Sequence, residues 1–207
     1  MGFSITGSYG DTGNQVSYTT LNFRSINYML NNIDSSVRYT QKYLGHRWAF
    51  TVQSPPLLRS EAFQNITNAN RPGDLGTNVV PPGIGSTSGT ASGTITVQLS
   101  SSTDPAYNYV KGSKTIAVSG GSGTLKKGDL IRFSDHSKVY QLTSDTNLDG
   151  SSTDTISIFP GLFQTLTAST VSYNNVSIKV DQISDEIELQ AGVDGYFKYQ
   201  VDFIEVI

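Results

Sequence analysis

The sequence predicts a mainly β protein: a discontinuous β-barrel or sandwich with one packed helix, into which a small β-barrel module is inserted. Three observations predict it. Period-two alternation of apolar and polar residues runs through both ends of the chain, in Val37–Val52 and in Ile187–Phe203. Six short strand-like runs, 94–99, 114–118, 128–133, 138–144, 155–159 and 170–173, follow one another between turns in the middle. Charged residues make up only 15%, while Tyr (11) and Phe (9) are abundant and Gly, Ser, Thr and Asn fill the rest, a profile suited to pleated surfaces and turns.

Residues 1–15 form an N-terminal arm, Gly-, Ser- and Thr-rich, with Phe3, Ile5 and Tyr9 as its sizeable apolar groups. Such an arm holds little core of its own and orders by lying on a neighbouring surface. Val16–Tyr28 reads as a strand with an irregularity near Thr20. Ser36–Gln53 reads as a hairpin: Val37, Tyr39 and Tyr43 alternate with polar residues, Leu44-Gly45 turns, and Trp48, Phe50 and Val52 resume in the opposite phase. Trp48 sits on the apolar side and is assigned to the core. Pro55-Pro56 opens the one helix, 57–69, since proline suits a helix start. Leu58, Ala62, Ile66 and Ala69 share one face with Phe63 beside it. Residues 72–93 are a linker by composition. Val176–Ile183 alternates again and leads into a strand pair that turns at Gly192-Val193-Asp194-Gly195.

The strands before the linker lack a closing partner, and so does the final pair. Residues 16–71 and 174–207 are therefore expected to form one discontinuous β-domain carrying the helix, with 94–173 as the inserted module, because insertions succeed at surface loops whose ends lie close together.

Bulk chemistry narrows the function. Net charge is −3 with an isoelectric point near 5.3, which leaves no basic footprint for nucleic acid. The chain holds no cysteine, so disulfides and thiolate metal sites are excluded. Met1–Asn14 has neither a basic start nor an apolar run, and nowhere do about 18 apolar residues follow one another. The expected cofactor list is empty, and no membrane partner is expected.

Catalytic constellations are missing as well. There are two histidines, His46 beside Gly45 and His136 in Ser134-Asp135-His136-Ser137. The latter reads as a turn, and consecutive residues cannot form a proton relay of the triad kind. Gly120-Gly121-Ser122-Gly123 lies between strands, out of context for a phosphate loop. Asp145, Asn147 and Asp149, followed by Gly150, match the start of a calcium loop, but its twelfth position is Ile156 instead of a bidentate glutamate; a polar hairpin loop explains them equally. Glu186 and Glu188 lie about 7 Å apart on one strand face, and a solvated sheet face is the commoner meaning of that pattern. The chain is read as non-enzymatic.

The runs Gly128-Asp129 through Lys138-Val139-Tyr140-Gln141-Leu142-Thr143 and Ile156-Ser157-Ile158-Phe159-Pro160-Gly161-Leu162 resemble modules in structural proteins of tailed bacteriophages. The front part is similar too: Phe23-Arg24-Ser25, Arg47-Trp48-Ala49-Phe50-Thr51-Val52, and Ser54-Pro55-Pro56-Leu57 leading into a helix, with a Phe203-Ile204-Glu205 strand at the end. The resemblance implies a tail-tube-like or distal-tail-like protein near the baseplate, whose barrel with a side helix joins edge to edge into a homo-oligomeric ring, a hexamer, around the DNA channel. It further implies location in the virion tail after assembly in the host cytoplasm, other tail and baseplate proteins as partners, and DNA only in passing. Asp185, Glu186 and Glu188 become channel-lining candidates, because a neutral or acidic wall does not hold phosphates. Phe3, Ile5 and Tyr9 become assembly-arm candidates. The alternative is a host-surface glycan-binding module, with Tyr107, Tyr109 and Tyr173 of the insert stacking on sugar rings.

Overall fold

A computed structural model describes residues 4–6, 15–34, 37–69, 77–99, 108–167, 169–183 and 187–207. In chain order the elements are β1 (Ser4–Thr6), β2 (Gln15–Ser17), β3 (Thr20–Asp34), β4 (Val37–Gln53), α1 (Arg59–Ala69), β5 (Thr77–Val79), β6 (Ile95–Val97), β7 (Thr115–Ser119) and β8 (Gly123–Leu125). They continue as β9 (Leu130–Phe133), β10 (Val139–Leu142), β11 (Thr146–Leu148), β12 (Thr153–Phe159), β13 (Thr170–Ser172), β14 (Ile178–Gln182), β15 (Leu189–Ala191) and β16 (Phe197–Glu205). The fold is thus mainly β with one short helix. Two compact units emerge: Met1–Ile26, Arg47–Pro82 and Ser177–Ile207 make the first, Asn27–His46 and Gly83–Val176 the second.

In the first unit, β16 is the strand on which the others are built. It pairs antiparallel with β4 on one side, Val201 opposite Val52 and Phe203 opposite Phe50. Its other side takes β14, with Val180 opposite Glu205, and β15, with Leu189 opposite Tyr199. The six-stranded sheet runs β3-β4-β16-β14-β5, with β15 added on β16. Alternation decides the buried side: Tyr199, Val201, Phe203 and Glu205 face inward, and Phe50 and Phe203 meet with ring centroids 5.2 Å apart. Trp48 is core, as its phase requires, and stacks on Phe23 at 4.9 Å. Where the ladder to β4 ends, the buried Glu205 carboxylate accepts from the Trp48 N–H at 3.1 Å, so the last backbone donor is satisfied by a side chain.

Several elements differ from what the sequence pattern implies. Leu44-Gly45 does not turn; β4 continues through it. The phase change that mimics a turn coincides instead with the passage of the strand from one compact unit to the other at 46/47. Residues 27–46 consequently group with the barrel. Thr77–Val79, read as linker, is a strand paired with β14 through Val79–Ile178; three residues are too few for composition to announce them.

The helix begins at Arg59, two residues later than expected, because Leu57 is held in a bridge to Phe197. The Glu61 carboxylate accepts from the Leu58 N–H at 3.1 Å and caps the start. The packed face is Ala62 and Asn65, while Leu58 (54% exposed) points to solvent and Phe63 (49%) is half-exposed with its ring edge-on to Phe197. Small residues let the helix lie close to its support, and Asn65 satisfies its amide on the Glu61 carbonyl at 2.8 Å.

The second unit contains a closed six-stranded barrel of order β10-β12-β7-β6-β13-β9, with the β8–β11 ribbon beside it. Its interior is one apolar cluster that includes Ile95, Ile116, Val118, Ile131, Phe133, Tyr140, Ile156 and Val171. The six runs read from the sequence correspond to its six strands. β8 and β11 lie in stretches read as loops. Among the described residues no helix is long and apolar enough to cross a membrane.

Candidate functional site

The solvent side of the first unit's sheet carries a polar cleft of about 750 Å³. The residues opposite the core positions build it: Gln53 on β4, Lys198, Gln200 and Asp202 on β16, Gln190 on β15, and Glu188 just before β15. Period two forces this, since each inward residue places its neighbours outward. Gln53 Nε2 donates to Gln200 Oε1 at 3.1 Å across the ladder. Asp202 accepts from the Thr51 hydroxyl and from Arg24 Nη2 at 3.3 Å. The exposed pair contributes under about 1 kcal/mol; its effect is to cancel charge. The cleft therefore carries amides together with the charges of Glu188, Lys198 and Asp202, the last paired with Arg24, and no nucleophile–base pair among its described residues.

Of the channel-lining candidates, Glu188 lines this cleft, while Asp185 and Glu186 lie outside the described residues. The other cleft residues named were readable as polar positions of β4, β15 and β16; the pairing of β4 with β16, 147 residues apart at Gln53–Gln200, brings the first together with the rest. Of the arm candidates, Ile5 lies in β1, which pairs parallel with β2 opposite Val16. Phe3 and Tyr9 lie outside the described residues.

The calcium-loop candidates are each engaged locally. The Asp145 carboxylate accepts from Lys126 Nζ and the Lys127 N–H, both at 2.8 Å, which lowers its pKa. Asn147 lies in β11 and accepts from the Thr124 hydroxyl at 2.6 Å. Asp149 accepts from the Ser152 hydroxyl and the Ser152 and Ser151 N–H groups, which hold its pKa at about 2. Among the described residues no group of three or more His, Asp or Glu is placed to hold a metal ion.

Asp135-His136 is a turn, as read, but a chain of polar contacts runs through it. Asp135 Oδ1 accepts from His136 Nδ1 at 2.5 Å, His136 Nε2 meets the Tyr140 hydroxyl at 2.7 Å, and that hydroxyl accepts from the Phe163 N–H at 3.0 Å. The Thr167 N–H donates to Asp135 Oδ2 at 3.1 Å. The chain ties the 163–167 segment to the barrel. Tyr140 is fully buried, so no substrate reaches it. A second buried contact joins Lys138 Nζ to His46 Nδ1 at 3.2 Å. A lysine ammonium only donates, so Nδ1 accepts and the imidazole is neutral. Burial first, then the Lys138 charge, lower the His46 pKa to about 4.

Two of the three tyrosines offered for sugar stacking are not available for it. Tyr109 and Tyr173 are buried at 8% and 7% exposure. The Tyr109 hydroxyl accepts from the Ala117 N–H, and that of Tyr173 donates to the Gly93 carbonyl. Tyr107 lies outside the described residues.

The barrel unit is also where the chain is similar to a known family. Residues 107–176, about a third of the chain, match the family model described as the B domain of distal tail protein pb9. That family is structural and non-enzymatic. No curated protein sequence matches the chain.

Proposed function

We propose that this chain is a phage distal tail protein and a subunit of a homo-oligomeric ring, a hexamer, that surrounds the tail channel near the baseplate and joins the neighbouring tail components. The observation that carries the reading is the family match over 107–176. The discontinuous sheet domain builds the ring and the inserted barrel is an appendage of it. Support comes from the sheet: among the described residues β3 is one of its terminal strands, and seven of its fifteen residues, Thr20–Ile26, lie in the sheet unit. So long an edge in a free protein invites pairing with another chain, and a contact repeated by rotation closes into a ring.

DNA passes through without being held. The amide-rich cleft beside Glu188, whose lining carries two carboxylates and one lysine, suits a wall that does not retain phosphates. Asp185, Glu186 and Glu188 are assigned to that wall. Phe3, Ile5 and Tyr9 are assigned to subunit contacts, and assembly takes place in the host cytoplasm. Native mass spectrometry and negative-stain images of the protein with its neighbouring tail components test the reading. Six-fold rings are expected; a chain that stays monomeric beside those neighbours refutes it. Reversing Asp185, Glu186 and Glu188 together to lysine is expected to slow genome ejection, and unchanged ejection removes them from the wall.

A further inference from the structure

The stretch Gly85–Gly93, linker-like in composition, is bonded to the barrel along its length. The Val176 N–H donates to the Gly85 carbonyl at 2.6 Å, the Thr87 N–H to that of Tyr173 at 3.0 Å, and the Tyr173 hydroxyl to that of Gly93 at 2.6 Å. Further along, the Thr90 and Ala91 N–H groups both donate to the Thr124 carbonyl, at 3.0 and 3.1 Å, and Ser92 and Ser122 exchange two backbone bonds at 2.9 Å. Ala91 belongs to the barrel's apolar cluster. The stretch thus spans from the exit of β13 to β8.

Asp129 fastens its middle. This buried carboxylate accepts from the Thr87 hydroxyl, from the Ser88 hydroxyl and N–H at 2.7 and 2.8 Å, and from the Lys126 N–H at 2.9 Å. The backbones approach so closely that glycine is required. A Cβ on Gly89 would land on the Thr124 carbonyl oxygen, and one on Gly123 on the Thr90 carbonyl oxygen. Immediately beyond lies β6, which stands between β7 and β13 and closes the barrel. The family-matched segment begins at residue 107 and so contains neither the stretch nor β6.

We propose that Gly85–Gly93 is a strap, locked by Asp129, and that the cooperative module is 27–46 with 83–176: β6 and the strap are required parts of the barrel, which unfolds separately from the sheet unit. Hydrogen exchange on the full-length chain tests this. The amides of Thr87, Ser88, Thr90, Ala91 and Ser92 are expected to be protected together with those of barrel strands such as β9. Asp129→Ala is expected to lower both sets together by on the order of 100-fold, leaving β16 amides unchanged. The double variant Thr87→Val/Ser88→Ala, which removes two donors and keeps the carboxylate, is expected to shift the same amides by a smaller factor. If Asp129→Ala abolishes barrel folding while β16 stays protected, the separate module is upheld. Strap amides that exchange as free chain in the unsubstituted protein overturn the proposal. So does strap protection unchanged by Asp129→Ala, or β16 amides that lose protection as fast as the barrel.

Discussion

His46 couples the stability of the barrel unit to pH, and the size of the effect follows from its surroundings. In the unfolded chain it titrates near the ordinary 6.5; in the fold its pKa is about 4, because the ring is buried against Phe159 and beside the Lys138 ammonium. Between those values the unfolded chain binds more protons than the folded one. Stability therefore falls as pH falls through that window, and the loss is complete below about pH 4. With these two pKa values the difference between pH 7 and pH 5 comes to nearly 2 kcal/mol, and about 1–2 kcal/mol once screening is allowed for. His46→Asn removes the titration while keeping an oxygen that can accept from Lys138. Urea unfolding of both proteins at pH 7 and pH 5 isolates the effect, since every other titrating group cancels in the difference. The unsubstituted protein is expected to lose about 1–2 kcal/mol more than the variant. Equal losses would refute the assignment of a neutral, buried imidazole.

Other outcomes follow from packing and local bonding. Trp48→Ala removes a ring stacked on Phe23 and is expected to destabilise the sheet unit by roughly 3–5 kcal/mol, read from the denaturation midpoint. At the helix start, Leu58→Ser is expected to change stability by less than about 0.5 kcal/mol, whereas Ala62→Leu, at a fully buried position, costs about 1–3 kcal/mol; thermal unfolding of the pair checks which face is packed. Gly121→Ala places a Cβ 2.8 Å from Ile95 Cγ1 at a φ of +69° and is expected to lower the barrel's melting temperature through about 1–3 kcal/mol of strain. Calcium is expected to leave that temperature unchanged, since Lys126 and the Ser151–Ser152 turn already occupy Asp145 and Asp149; a rise with calcium would show the loop opening to bind it.

Alternation made much of the fold readable. Trp48-Ala49-Phe50-Thr51-Val52 and Phe197–Phe203 each name their buried side, and their pairing encloses the sheet core. The barrel strands were legible because each is a short apolar run cut off by a turn. What stayed hidden depends on contacts distant in sequence. Lys138 meets His46 across 92 residues, and Asp129 meets Thr87 across 42, so nothing local marks either as buried. The glycines at 89, 121 and 123 look like flexible spacers until their backbone neighbours are known. The helix misled for a related reason: its apolar stripe included Leu58, yet the packed side is Ala62 with a self-satisfied Asn65. The cleft residues were visible individually as outward positions, but not as a cluster.

Electron cryo-microscopy of the intact virion, with the sheet unit and the barrel fitted separately into density, is the most direct measurement. The account predicts a six-fold ring at the distal end of the tail, with the sheet units side by side around an open channel. Density that places the chain outside the tail, or as isolated copies whose sheet units never touch, would contradict it.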